Sequence, residues 1–284
     1  MNLLGLLVTH DPPDSVTKLI YQMLEVCDNV IIVDSSRDSF GIPDDLQSNP
    51  NLHFIHETKH LGLGHALNTA IGIGNNFSPD YGIIMEDDAL FTDLSLLKKT
   101  IKAFCKGHSD KDLLYLAESS LKSENEFIES KKPLGSNSGL FLDFNLLNSI
   151  RFREEFFIDQ IDIDFQYRIK RLGGKIFITK EILTTRAPVG RYSLYGDIVT
   201  RSNVLHTIAP WRFYLLVRNT LILYIEGINN TKTLMYIIGY FFKGLITKQN
   251  PFLLFNLFLH AIIDAINNNL GITYTLMKCR PDLV

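Results

Sequence analysis

Short apolar runs alternate with amphipathic stretches along the first third of the chain: Leu3 to Val8, Val16 to Val26, Val30 to Val33, Leu52 to Ile55, Ala66 to Ile73 and Tyr81 to Met85. Brief, nearly continuous apolar runs suit strands, and the longer stretches with interspersed polar residues suit helices. Their alternation predicts repeated βαβ units. Asn29-Val30-Ile31-Ile32-Val33 is apolar after its first residue, as expected of a strand in a parallel sheet covered by helices on both faces. The expected fold class is α/β, with a doubly wound, mostly parallel sheet.

Farther along, Asp93 to Lys106 reads as a helix, Leu113 to Ala117 as a strand, and Ser119 to Pro133 as a polar surface excursion. Strand character resumes at Gly139-Leu140-Phe141-Leu142. Phe156 to Leu172 reads as a loop entering a helix, stopped by Gly173-Gly174 and followed by a strand from Lys175 to Thr179. After about Thr207 the segments become long, apolar and aromatic: Trp211 to Tyr224, Leu234 to Ile246 and Phe252 to Ile266. Arg218, Lys243 and His260 interrupt them, so none provides the run of about 18 apolar residues that a membrane span needs. They are expected to be helices that pack on the α/β part or lie on a bilayer surface. The expected division is 1–206 for the α/β domain and 207–284 for an apolar helical extension.

The 284 residues carry 28 Lys and Arg against 31 Asp and Glu, a net charge of −3. The basic residues are spread along the chain, so the concentrated positive face of a nucleic-acid binder is not expected. Cys27, Cys105 and Cys279 are three in number, widely spaced and without a CxxC, which fits neither a disulfide framework nor a zinc site. The apolar start ends at Thr9-His10-Asp11 without a preceding basic stretch, so it reads as a strand and not a signal peptide. A cytoplasmic location is expected, with peripheral attachment to the inner face of the cell membrane through the C-terminal helices.

In open parallel sheets, ligands bind beyond the carboxyl ends of the strands. The polar residues at those ends are Thr9-His10-Asp11, Asp34-Ser35-Ser36, the segment before His60-Leu61-Gly62, and Glu86-Asp87-Asp88. Carboxylates that directly follow an apolar strand need solvent or a cation, because an unpaired buried charge is costly. Such hard oxygens suit Mg²⁺ or Mn²⁺ bridging the phosphates of a nucleotide diphosphate. Taken alone, an acidic triplet is also a common surface turn, and its place after the fourth strand is what raises its weight.

These strand ends are similar to motifs of glycosyltransferase family 2 with the GT-A fold, and within it of bacterial rhamnosyltransferases of surface-polysaccharide synthesis. Val8-Thr9-His10-Asp11-Pro12 resembles the family's VTYNP, Ile31-Ile32-Val33-Asp34-Ser35-Ser36 its IIVDNSS, and Leu61 to Ala70 its NxGxaxAxNxGi stretch. Glu86-Asp87-Asp88 stands where the family has DxD, and Ser138-Gly139-Leu140-Phe141 where it has an acceptor-side SG strand. Phe156 to Arg168 is similar to FFIDxVDxEwxxR, Tyr214 to Asn219 to YYxxRN, and Ile263 to Ile266 to IxDGL. Glu86, His10 and His60 depart from the family's Asp, Tyr and Asn.

The resemblance implies that Asp34 contacts a pyrimidine base, with Thr9 and Asp11 flanking base or ribose. It places Gly62 and Asn68 beside the donor, Asp87 on ribose or donor sugar, and Asp88 with Glu86 on the metal. Ser138, Gly139 and Asp159 become acceptor- or donor-side candidates, and Asp162 the base that takes the acceptor hydroxyl proton. Each has a plainer reading: Asp34 as a turn at a strand end, Gly62 and Gly64 as packing glycines, and Asp159, Asp162 and Asp164 as helix-capping acids. Arg168 and Arg171 are expected to pair with nearby acids, Arg212 and Arg218 to serve structure or anionic lipid, and His206 is a further metal-ligand candidate. The expected activity is inverting transfer of a rhamnose- or galactofuranose-like sugar from a dTDP- or UDP-sugar to a hydroxyl of a surface polysaccharide or its lipid-linked precursor. The rival readings are a nucleotidylyltransferase, whose glycine-rich basic turn Thr9-His10-Asp11-Pro12-Pro13 lacks, and a noncatalytic scaffold of a polysaccharide-assembly complex.

Overall fold

The computed structural model describes residues 1–117, 123–186, 209–228 and 250–273, together with residues 235, 237–239, 241–242 and 275. The chain divides into two compact units, Met1–Phe152 with Phe165–Val189, and Arg153–Asp164 with Gly190–Val284. The domain boundary expected at 206/207 lies outside the described residues, as does His206.

The first unit is built on an eight-stranded sheet. Strands β1 (Leu3–Thr9), β2 (Asn29–Asp34), β3 (Leu52–His56) and β4 (Tyr81–Glu86) are parallel and ordered β3-β2-β1-β4. The helices between them are α1 (Val16–Val26), α2 (Asp44–Gln47) and α3 (Leu63–Gly74), followed by a 3-10 turn at Asn75–Phe77. Next come the short strand β5 (Ala89–Phe91), helix α4 (Leu94–Gly107) and strands β6 (Leu113–Tyr115), β7 (Phe127–Ser130) and β8 (Leu140–Asp143). Helix α5 (Phe144–Ile150), a second 3-10 turn (Glu154–Phe156), α6 (Ile161–Arg171), β9 (Ile176–Thr179) and β10 (Thr184–Arg186) follow. The sheet continues from β4 as β8-β6-β9-β7, with β8 and β7 antiparallel to their neighbours and β9 parallel to β6. This is the expected doubly wound, mostly parallel α/β architecture.

Strand alternation assigns the two faces. Leu3 and Leu7 join a core with Leu19, Ile20 and Met23 of α1 and Leu97, Ile101 and Phe104 of α4. The opposite face carries Leu4 and Leu6, which close on Gly74 of α3 and on Gly82, beside Phe144 and Leu147 of α5. Sheet residues such as Leu4, Leu6, Val30, Ile32 and Ile83 have no solvent exposure. Coverage on both sides accounts for their unbroken apolar runs.

Two parts of the pattern differ from expectation. The polar stretch read as a surface excursion contains β7, an edge strand whose Glu129 and Ser130 pair with Phe177 and Ile176. An edge strand with one wetted side does not need an apolar run, so composition alone hides it. A separate two-stranded sheet joins β5 to β10 in antiparallel register, Ala89 opposite Arg186. Three-residue strands are too short to show a period.

Within the second unit, helix α7 (Pro210–Ile225) begins with Pro at its first turn, and helix α8 (Pro251–Ile266) is capped by Asn250, whose Oδ1 accepts from the Phe252 and Leu253 amides. The two pack on each other around Phe213, Val217, Leu254, Leu257 and Ala261. The helix expected over Leu234 to Ile246 lies largely outside the described residues. Among the described residues no helix is long and apolar enough to cross a membrane.

Candidate functional site

The carboxyl ends of the parallel strands bring Thr9, Asp34 and Glu86, with the residues that follow them, to one edge. Register sets Thr9 beside Asp34, Asp34 beside His56, and Val8 beside Glu86. Asp34 has no solvent exposure. Its Oδ1 accepts from Thr9 Oγ1 at 2.8 Å, Ser36 Oγ at 2.5 Å and the Ser36 amide at 3.2 Å, and His56 Nδ1 lies 3.1 Å from Oδ2. A buried carboxylate so surrounded holds together the ends of β1, β2 and β3.

Around it the loop after β1 turns sharply. Asp11 takes a left-handed φ of 50°, and its amide donates to Ser36 Oγ at 2.7 Å. The His10 amide donates to Asp87 Oδ2 at 3.3 Å, and its ring stacks on His60 with centroids 4.1 Å apart. Ser35 contacts both rings at their edges: its carbonyl oxygen is 2.9 Å from His10 Nδ1, and its hydroxyl 2.9 Å from His60 Nδ1. His10 and His60 therefore form one stacked pair. Gly62, at φ 97°, begins α3 in a conformation that side-chain-bearing residues rarely adopt. Asn68, within α3, exchanges a reciprocal pair of hydrogen bonds with the backbone of Phe152, 2.9 and 2.8 Å long.

At the end of β4, Glu86 and Asp88 converge on one nitrogen. Arg186 Nη1 donates to Glu86 Oε2 at 2.7 Å and also to Asp88 Oδ1, while Nη2 donates to Ser136 Oγ at 2.9 Å. Burial opposes the charge on Arg186, but Glu86 and Asp88 outweigh it and hold its pKa above the ordinary value. Asp87 points elsewhere. Its burial pushes its pKa up to about 6, the His10 amide pulls it down, and the charges of Asp88 and Glu86 add to the rise. The Glu86 amide donates to Ser138 Oγ at 3.2 Å, and Gly139 donates its amide to the Ile84 carbonyl at 2.8 Å. Gly139 has φ 78° and would carry a Cβ 3.3 Å from the Leu116 carbonyl, so a side chain there meets both conformational and steric resistance.

Sequence reasoning overlooked Arg186 and Ser136. Arg186 lies 100 residues from Glu86 and 98 from Asp88 and arrives through the β5–β10 pairing. No local motif marks it. Among the described residues no group of three or more His, Cys, Asp or Glu could hold a metal ion. Glu86 Oε2 and Asp88 Oδ1, which share Arg186 Nη1, are the two hard oxygens on which a divalent cation would have to bind.

In the second unit, the loop entering α6 is held in an uncommon shape. Phe157, Asp159 and Gln160 have φ values of 65°, 60° and 66°. Asn219 Nδ2 donates to the carbonyls of Phe156, Ile158 and Asp159 at 2.8–3.0 Å. Buried Arg218 donates to the carbonyls of Glu155 and Gly271 at 3.0 and 2.9 Å. Asp159 receives Nε and Nη2 of Arg212 at 2.9–3.2 Å. Asp162, in the first turn of α6, accepts from the Ile163 amide at 2.9 Å, and buried Asp164 pairs with Arg153 at 3.5 Å. Arg218 and Asn219 thus brace the segment that carries Asp159 and Asp162. Such strain persists only where the surroundings over-determine it.

No protein-family model and no curated protein sequence matches this chain. Solved structures do. TarS 1–349 of S. aureus, solved in complex with UDP, aligns over 100% of this chain and 88% of its own at 17% identity and a TM-score of 0.53. Its complex with UDP-GlcNAc gives 16% identity over the same shares, with a TM-score of 0.53. The longer TarS chain, of which this chain spans 53%, gives 14% identity and a TM-score of 0.54. At these identities the likeness is one of fold: this chain is folded as TarS is.

Proposed function

We propose that this protein is a glycosyltransferase that moves a sugar with inversion from a dTDP- or UDP-sugar to a hydroxyl of a growing surface polysaccharide or its lipid-linked precursor. Rhamnose or a galactofuranose-like sugar is the donor class favoured by the sequence motifs. The observation that carries the reading is the edge formed by Thr9, Asp34, His10 and Glu86-Asp87-Asp88, in a fold shared with a protein solved with UDP and UDP-GlcNAc. Carboxyl strand ends are where open parallel sheets bind ligands.

In this reading Glu86 and Asp88 would hold Mg²⁺ or Mn²⁺, which would supply positive charge to neutralise the departing nucleoside diphosphate. Thr9, Asp11 and Asp87 face base and ribose, and Asp34 fixes that edge through Thr9 and Ser36. Asp162 takes the acceptor proton, with Asp159, Ser138 and Gly139 on the acceptor or donor side. The exposed apolar side of α8, where Phe252 is 84% and Ile266 70% exposed, supports membrane attachment near a lipid-carried acceptor. The test is calorimetric binding and donor turnover with a panel of dTDP- and UDP-sugars plus Mn²⁺. At least one donor is expected to bind and turn over, and a panel that gives neither overturns the reading.

A further inference from the structure

Acidic strand ends usually take their counter-ions from solvent. Here the counter-ion belongs to the chain. The antiparallel register of β10 on β5 sets Arg186 opposite Ala89, one residue past Asp88. One guanidinium nitrogen then meets both Glu86 and Asp88, and the other is anchored on Ser136. The Arg186 side chain is only 16% exposed, and a guanidinium does not shed its proton in a protein. The Arg186 charge is therefore permanent, and another cation gains these oxygens by displacing it. A divalent ion requires the same oxygens that Nη1 occupies. An arginine that is turned out, in contrast, has the planar fork that suits phosphate oxygens.

We propose that Arg186 is a built-in counter-cation of Glu86 and Asp88, displaced when a divalent cation binds, and that the displaced guanidinium then pairs with the diphosphate of the nucleotide. The second half rests on the nucleotide-sugar reading; the first half does not. Both ligands favour the displaced state, so each strengthens binding of the other, by reciprocal linkage. Metal alone must compete with Arg186, whereas metal with nucleotide gives Arg186 a new partner.

The experiment titrates Mn²⁺ into the full chain and follows the electron paramagnetic resonance signal of free Mn²⁺, for the native protein, Arg186→Gln and Ser136→Ala. Removing the competing charge is expected to tighten Mn²⁺ binding about tenfold in Arg186→Gln, consistent with the strength of charge-assisted hydrogen bonds. Loosening its anchor in Ser136→Ala is expected to tighten it about threefold. If Arg186→Gln proves unfolded by circular dichroism, Ser136→Ala decides. Unchanged or weaker Mn²⁺ binding in a folded variant overturns the counter-cation. In parallel, UDP binding is measured by calorimetry at saturating Mn²⁺, where Arg186 is displaced. The native protein is expected to bind UDP more tightly than Arg186→Gln, and equal binding overturns the pairing with diphosphate. If Mn²⁺ binding tightens as expected but no nucleotide binds either protein, the counter-cation stands, and both the pairing with diphosphate and the nucleotide-sugar reading fall.

Discussion

At the scale of single residues, buried Asp34 and first-turn Asp162 play opposite parts. Asp34 accepts from three side chains or amides and faces His56 while excluded from solvent. Asp34→Ala leaves the Thr9 and Ser36 donors without their acceptor, and unpaired buried polar groups are costly. A stability loss of about 2–4 kcal/mol is expected, read as a lower urea midpoint at unchanged slope. If Asp34→Ala is as stable as the native chain but loses nucleotide binding, the carboxylate acts on the ligand and not on the strand ends. For Asp162, the proposed base, Asp162→Asn keeps shape while removing basicity. Donor binding and melting temperature should hold while transfer falls by about 10²–10⁴-fold. Retained transfer would move the base elsewhere. These acids were legible in the sequence because each ends an apolar run or opens a helix. Arg186 was not, because only a pairing between distant three-residue strands brings it to Glu86 and Asp88.

At the scale of elements, the four leading strands were legible because burial on both sheet faces imposes unbroken apolar runs. β7 was hidden by its place at the edge, and the strain before α6 left no mark in hydropathy. That strain depends on α7, whose buried Arg218 and Asn219 hold the segment and whose Tyr214 is buried with them. Tyr214 Oη donates to Asp264 Oδ2 at 2.6 Å and lies 2.7 Å from Thr273 Oγ1, tying α7 to α8 and the segment after it. Burial first, and the Asp264 hydrogen bond next, push the Tyr214 pKa up to about 12. The folded state therefore holds this proton more tightly than the unfolded chain, whose tyrosine titrates near 10. The stabilisation is complete below about pH 10 and is lost as pH rises through about 12. Tyr214→Phe should flatten that part of the stability profile, a difference on the order of 2 kcal/mol between pH 9 and 12, measured as urea midpoints of both proteins. Parallel profiles would remove Tyr214 as the source. In the sheet, Gly139→Ala must place a Cβ near the Leu116 carbonyl at a positive φ, and a cost of about 1–3 kcal/mol is expected in the same assay.

For the whole molecule, the remaining question is where it works. Phe252, Phe255, Leu259, Ile263 and Ile266 recur every three or four residues along α8, and all are exposed. Residues at that spacing share one side of a helix, while Leu254, Leu257, Ala261 and Ala265 fill the buried side. A helix apolar on both sides, yet unable to span a bilayer, suits shallow burial at a lipid surface. Lys243 and Lys248 precede it in the sequence, and lysines near an anionic surface add attraction that salt weakens. The full chain is therefore expected to float with vesicles containing anionic lipid at low salt and to bind less at high salt. Phe252→Asp with Phe255→Asp removes two large apolar side chains, each contributing roughly 1.5–3 kcal/mol when fully buried, so partitioning should fall at least about tenfold. Transfer to a short soluble acceptor should persist in that double variant, because the substitutions lie on the exposed side of α8 and leave Asp162 and the Glu86–Asp88 edge intact. If the double variant floats as well as the native chain, α8 is not the attachment surface. If native and variant chains both stay in solution but differ in oligomeric state, the stripe joins copies of the protein to each other.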